Sequence, residues 1–220
     1  MKKEEFKVIA QKLQKIPNGT LALKHCRAGG TDSTLFGEQF RAVTAGKGCM
    51  EAYETFPGIE VSFNVFLASE VKFRHDALDS VLEIYYCRSG RVGWNMQGGT
   101  AVYLGAGDVT AHSMACCADS AMMFPLGYSE GISISVDLKQ LSSICPEVLK
   151  NAGVEADQLR DRFCSGKPSA IPSCSDLEHI FAPLFSASVS VRISLLKLKV
   201  LEILIYLSNM KVQFTRDYTG

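Results

Sequence analysis

The feature that most narrows the fold of this chain is the texture of residues 20–138. Short apolar runs are broken repeatedly by Gly, Asn, Asp and Ser, and no helical period is sustained. Ile59, Val61, Phe63, Val65 and Leu67 alternate with Glu60, Ser62 and Asn64, the period of a half-buried strand. A second strand is predicted over 81–88, and Ser89-Gly90 turns it into a third over 91–96. Gly98-Gly99 leads into 101–104, and Gly105-Ala106-Gly107-Asp108 makes a tight turn before 109–112. Further strands fit at 120–124 and 131–136. Many short antiparallel strands at this spacing imply a sandwich or a closed barrel.

Helices flank this region. Phe6, Ile9, Leu13 and Ile16 recur at steps of three and four, and Pro17-Asn18-Gly19 ends the pattern. After the strands, Asp137 is placed to cap a helix over 138–144, and Cys145-Pro146-Glu147 opens another that stops near Gly153. A loop containing Gly166, Pro168 and Pro172 precedes the last two helices, 176–186 and 189–210. In the second of these Ile193, Leu196, Val200, Ile203, Leu207 and Met210 form an a/d seam. Leu195, Leu198, Leu201 and Ile205 widen the apolar surface, so the helix needs two covers. One is its own domain. The other is either a neighbouring helix of the same chain or a second subunit, and the pattern leaves both open.

Charge and cysteine content exclude several classes. Lys+Arg and Asp+Glu both number 23, so the chain lacks the basic surplus with which a protein holds DNA unaided. Its eight cysteines contain no CxxC pair and no zinc-site spacing, and are expected to be free thiols of a reducing cytoplasm. The first residues have no signal-peptide core, and no apolar stretch is long and uncharged enough for a bilayer.

The run Leu82-Glu83-Ile84-Tyr85-Tyr86-Cys87-Arg88-Ser89-Gly90-Arg91, followed by Tyr103-Leu104-Gly105-Ala106-Gly107-Asp108, resembles the paired signature of cupin sensor domains in AraC-type transcription regulators. Phe124-Pro125-Leu126-Gly127-Tyr128 and Gly131-Ile132-Ser133-Ile134-Ser135-Val136-Asp137 are similar to the same family, and most to its siderophore-uptake branch. So is the close of the chain, with Phe214-Thr215-Arg216-Asp217-Tyr218 resembling an exit towards a DNA-binding domain. The resemblance implies a mainly β fold with α, a cupin-like (jelly-roll) β-barrel followed by a helical dimerisation region. It divides the chain into an N-terminal helix or arm (1–19), a barrel (20–137), a helical region (138–212) and a linker (213–220). It further implies a cytoplasmic bacterial protein that binds a small-molecule effector and forms a homodimer through Ile193, Leu196, Val200, Ile203 and Leu207. DNA would be reached only through a helix-turn-helix domain that this sequence lacks, and no membrane is involved.

Enzymatic cupins resemble one another in a His-x-His, a following Glu and a later His that together hold a metal. The four histidines here, His25, His75, His112 and His179, include no His-x-His. A non-enzymatic module without cofactor or metal is therefore expected, with a small metal-dependent cupin enzyme as the alternative. The resemblance turns Glu83 inward, and strict alternation would carry Tyr85 and Cys87 with it, although a one-residue bulge would reverse the faces. Trp94 and Met96 share a face with Val92, and His112 follows on a later strand. Met122, with Met114 and Met123, offers an adaptable apolar wall. Glu83, Tyr85, Cys87, Trp94, Met96, His112 and Met122 are thus the candidate ligand-binding set, each also explicable as packing. Arg74 and His75 are placed to guard the mouth or to sit in a solvated loop.

Overall fold

The computed structural model describes residues 2–26 and 40–210, so the predicted linker over 213–220 and the exit motif at Phe214–Tyr218 lie outside the described residues. The chain begins with α1 (Lys2–Lys12) and continues through β1 (Thr20–Cys26), β2 (Arg41–Thr44), β3 (Lys47–Phe56), β4 (Ile59–Leu67) and β5 (Glu70–Arg74). Then come β6 (Val81–Gly90), β7 (Val92–Asn95), β8 (Ala101–Leu104), β9 (Val109–Ser113), β10 (Asp119–Met123) and β11 (Ser129–Asp137). The helical part holds α2 (Leu138–Ser143), α3 (Glu147–Asn151), α4 (Ala156–Phe163), a short β12 (Ser169–Ile171), α5 (Ser175–Ser186) and α6 (Arg192–Asn209). Asp137 accepts from the amides of Lys139 and Gln140, which starts α2 where β11 ends.

The strands form two sheets rather than one closed barrel. Among the described residues the larger runs β1-β3-β4-β11-β6-β9-β12 and the smaller β2-β5-β10-β7-β8. Apart from the parallel pair of β1 and β3, the pairings are antiparallel. The two sheets face each other over an apolar filling that includes Phe66, Phe73, Tyr85, Trp94, Met114 and Met122, so the molecule is a mainly β sandwich of jelly-roll type with helices added.

What sets this sandwich apart is the outer face of its larger sheet. Ile59, Val61, Leu82, Ile84, Ile132, Ile134 and Val136 point away from the smaller sheet and pack under the helices. Tyr86 on that face stacks on Phe181 of α5, ring centroids 4.3 Å apart. The strand at 59–67, predicted as half-buried, is instead covered on both sides. Its apolar face meets the helices, and Glu60, Ser62 and Asn64 are buried towards the smaller sheet.

The final helix also differs from the expected dimer seam. Leu196, Val200, Ile203 and Leu207 are at most 1% exposed within the single subunit, and Ile193 and Met210, at the two ends of the seam, are partly exposed. They are covered by the chain's own α3, α4, α5 and sheet, so the seam is the intrachain face and not a surface for a second subunit. The ends of α6 are tied to the same body. Arg192 donates to Tyr53 Oη at 2.9 Å, and Arg162 of α4 donates to the Leu207 and Ser208 carbonyls at 2.7 and 2.8 Å. Helix α4 itself lies in a stretch where the sequence suggested only loop. With eight residues and two buried side chains, Ala156 and Leu159, it is too short to show a clear period.

Candidate functional site

Between the sheets lies a pocket built from unlike walls. In the larger sheet, the register sets Glu60 opposite Ser135, Ser135 opposite Glu83, and Glu83 opposite His112. All four are buried, so one polar row crosses β4, β11, β6 and β9 on the inner face. A second row sets Ser62 opposite Ser133, and Ser133 opposite Tyr85. Hydrogen bonds hold each row: Ser62 Oγ donates to Asn64 Oδ1 at 2.9 Å, Asn64 Nδ2 to Ser133 Oγ at 3.0 Å, and Ser135 Oγ to Glu83 Oε2 at 2.6 Å. The opposite wall comes largely from the smaller sheet and its connections. Phe73, Trp94, Met114 and Met122 supply it, while Phe66 and Met50 close the side.

The void enclosed by these walls totals about 410 Å³ including its opening. Phe40 and His75 also line it, their rings stacked with centroids 6.3 Å apart. The three thioethers of Met50, Met114 and Met122 let the lining reshape around a bound molecule.

Electrostatics follow from burial. Loss of solvent raises the Glu83 carboxyl to about 7, while hydrogen bonds from Ser135 and Ser133 act in the opposite direction. Burial alone lowers His112 to about 4, so the ring is neutral. Its Nδ1 lies 3.2 Å from the Glu83 carbonyl, which makes Nδ1 the protonated nitrogen and leaves Nε2 as a buried acceptor without a partner. Burial also raises the Tyr85 hydroxyl and the Cys117 thiol, so neither ionises near neutrality. Trp94 ties the site to the chain beside it. Its Nε1 donates to Ser120 Oγ at 3.1 Å, and its ring meets Tyr85 and His112 edge-on at 5.6 and 5.1 Å.

Of the candidate set, Glu83, Tyr85, Trp94 and Met122 line the pocket. His112 lies behind Trp94 and not on the lining, while Cys87 and Met96 belong to the surrounding filling. Alternation on β6 holds through the site, because the irregularity in its pairing with β11 falls later, between Glu130 and Gly131. Met123 is 45% exposed, since its neighbour Met122 takes the inner face, so it is no part of the wall. Of the two residues at the mouth, His75 lines the pocket and Arg74 pairs outward with Asp119 at 2.9 Å. Asn64, Ser133, Ser120, Cys117, Phe40, Met50, Phe66 and Phe73 were not anticipated. The alternation of 59–67 held the signal for Asn64, had its polar face been read as interior. Among the described residues no three His, Cys, Asp or Glu side chains converge as a metal site requires, and no helix is long and apolar enough to cross a membrane.

No protein-family model and no curated protein matches the sequence. Solved structures do. The AraC-like transcriptional activator CuxR aligns at 12% identity over 80% of this chain and 59% of its own, with a TM-score of 0.45. ToxT from Vibrio cholerae, solved with an unsaturated fatty acid bound, aligns at 10% identity over 67% and 52%, TM-score 0.43. An RmlC-like cupin protein from Desulfovibrio desulfuricans aligns at 11% identity over 51% of this chain and 98% of its own, TM-score 0.34. AraC-like regulators and cupin proteins are therefore both among its structural neighbours. This chain spans just over half the length of the two regulators.

Proposed function

We propose that this chain is the effector-sensing part of a cytoplasmic bacterial regulator of the AraC type, binding a small molecule between its sheets and doing no chemistry on it. In this reading DNA is contacted through a separate C-terminal domain, and the regulator works as a homodimer. The observation that carries the proposal is the placement of the pocket directly behind the helices. Tyr85 lines the pocket, and the next residue, Tyr86, stacks on Phe181 of α5 from the other side of the same strand. A ligand that displaces Tyr85 therefore strains the strand on which the helices rest. Such coupling acts only if the ligand prefers one arrangement of strand and helix over the other.

The polar row supports binding over packing. Buried carboxyl and hydroxyl groups contribute less to stability than hydrocarbon of the same shape, so their presence in a sandwich interior calls for another use. The test is to extract purified protein under denaturing conditions and identify any stoichiometric small molecule by mass spectrometry. Its return is then followed by Trp94 fluorescence in the wild type and in Met122→Trp, which fills the void. A returning signal that disappears in the filled variant supports the reading. Equal binding by both proteins places the ligand elsewhere and removes the basis for it.

A further inference from the structure

The walls of the pocket carry information about charge. Among the described residues Glu83 is the one lining carboxyl, and it faces the void from a sheet whose hydroxyls already satisfy one of its oxygens. Among the described residues no Lys or Arg lines the pocket. His112 behind it is neutral and ends in a bare acceptor, and Glu60 stands two strands away in the same polar row. His75 stands at the mouth. An anion brought into this space loses its hydration and meets a carboxyl, and no Lys or Arg among the described lining residues replaces the water. A cation meets the Glu83 carboxyl, which gives up its proton to pair with it, and the rings of Trp94, Tyr85 and Phe73, whose quadrupoles attract positive charge.

From these two independent features, an acidic floor and aromatic walls with no basic side chain among the described residues, we infer that the pocket selects a small organic cation, an ammonium group carried on an apolar body of about one ring. The ammonium lies over Glu83 and within reach of the Asn64 amide oxygen, and the ring takes the Met122–Trp94 side. The inference rests on the pocket being a ligand site, and it adds the sign of the ligand's charge.

Three probes of nearly equal shape separate the possibilities: benzylamine, benzyl alcohol and benzoate, each titrated against Trp94 fluorescence and by calorimetry. Benzylamine should bind best, at least about tenfold tighter than benzoate, the size expected for one charge-assisted hydrogen bond. Glu83→Gln, which keeps the shape and loses the charge, should remove that preference and leave benzyl alcohol within about twofold. If Glu83→Gln does not melt cooperatively, Glu83→Asp serves instead and should weaken benzylamine selectively by withdrawing the carboxylate. Benzoate or benzyl alcohol binding as well as benzylamine overturns the charge assignment and leaves the pocket standing. Absence of binding by all three overturns both.

Discussion

Two buried groups in adjacent strands are displaced in opposite directions, and their effects on stability should cancel. Glu83, 4% exposed, is raised from 4.5 to about 7, so its proton is held by the folded state and lost by the unfolded chain. Its contribution is complete below pH 4.5 and falls as pH rises to 7. His112, fully buried, is lowered from 6.5 to about 4, so the folded state refuses a proton that the unfolded chain takes. Its cost is greatest below pH 4 and disappears as pH rises to 6.5. Each group lies about 2.5 pH units from its ordinary value, on the order of 3 kcal/mol at about 1.4 kcal/mol per unit. Between pH 4.5 and 6.5 the two slopes are equal and opposite, so this pair leaves the wild type nearly level. Glu83→Gln should uncover a stability that rises by roughly 3 kcal/mol from pH 4 to 6.5, and His112→Gln one that falls by a similar amount from pH 4.5 to 7. Glu60 and the other ionisable groups are common to all three proteins and cancel in the differences. Urea midpoints followed by Trp94 fluorescence at intervals across this range provide the measurement. Three parallel profiles would show that neither group is held as the burial implies.

Removing the Ser135 hydroxyl leaves Glu83 Oε2 short of a donor, so Ser135→Ala should destabilise by about 1–3 kcal/mol, more above pH 7 than below, by chemical denaturation. Ile203→Ala, deep under α6, should cost about 2–5 kcal/mol of thermal or denaturant stability. Leu198, 63% exposed on the outward side of the same helix, should tolerate Glu within about 0.5 kcal/mol. If a homodimer uses that outward side, Leu198→Glu should give monomers in sedimentation, and an unchanged dimer would place the interface elsewhere. Gly131→Ala would bring a methyl group to 2.5 Å from the Tyr86 carbonyl oxygen and 2.6 Å from Tyr85 Oη. The variant should lose about 1–3 kcal/mol of stability and show altered Trp94 emission as Tyr85 is pushed against the indole.

The architecture was legible in the sequence because turns and apolar alternation are local signals. Ser89-Gly90 and the Gly105–Asp108 turn bound strands as expected, and Asp137 caps α2. Orientation on β6 was legible for the same reason, since no bulge intervenes before Cys87. What the sequence hides is which face of a strand meets water. In β4 and β11 the polar positions look like a solvated side, yet helices from far along the chain cover the apolar side and leave the polar one inside. The α6 seam misleads in the complementary way. A heptad stripe reports that a surface must be covered and carries no mark of whether the cover belongs to the same molecule. Met50 and Phe66 reach the pocket through sheet register, and Phe40 from just ahead of β2, neither of which a local pattern encodes.

The inverted strands carry a consequence for how the molecule holds together. Besides the filling that its two sheets share, the molecule has a second apolar layer, with Ile84, Ile134 and Val61 on the far side of the larger sheet under the helices. Were those helices to lift away, the sheet would bare a continuous greasy plane while its hydroxyls and carboxyls stayed shut indoors. The terminal helices are therefore the roof of this building, and a chain that folds before they arrive has nowhere dry to stand.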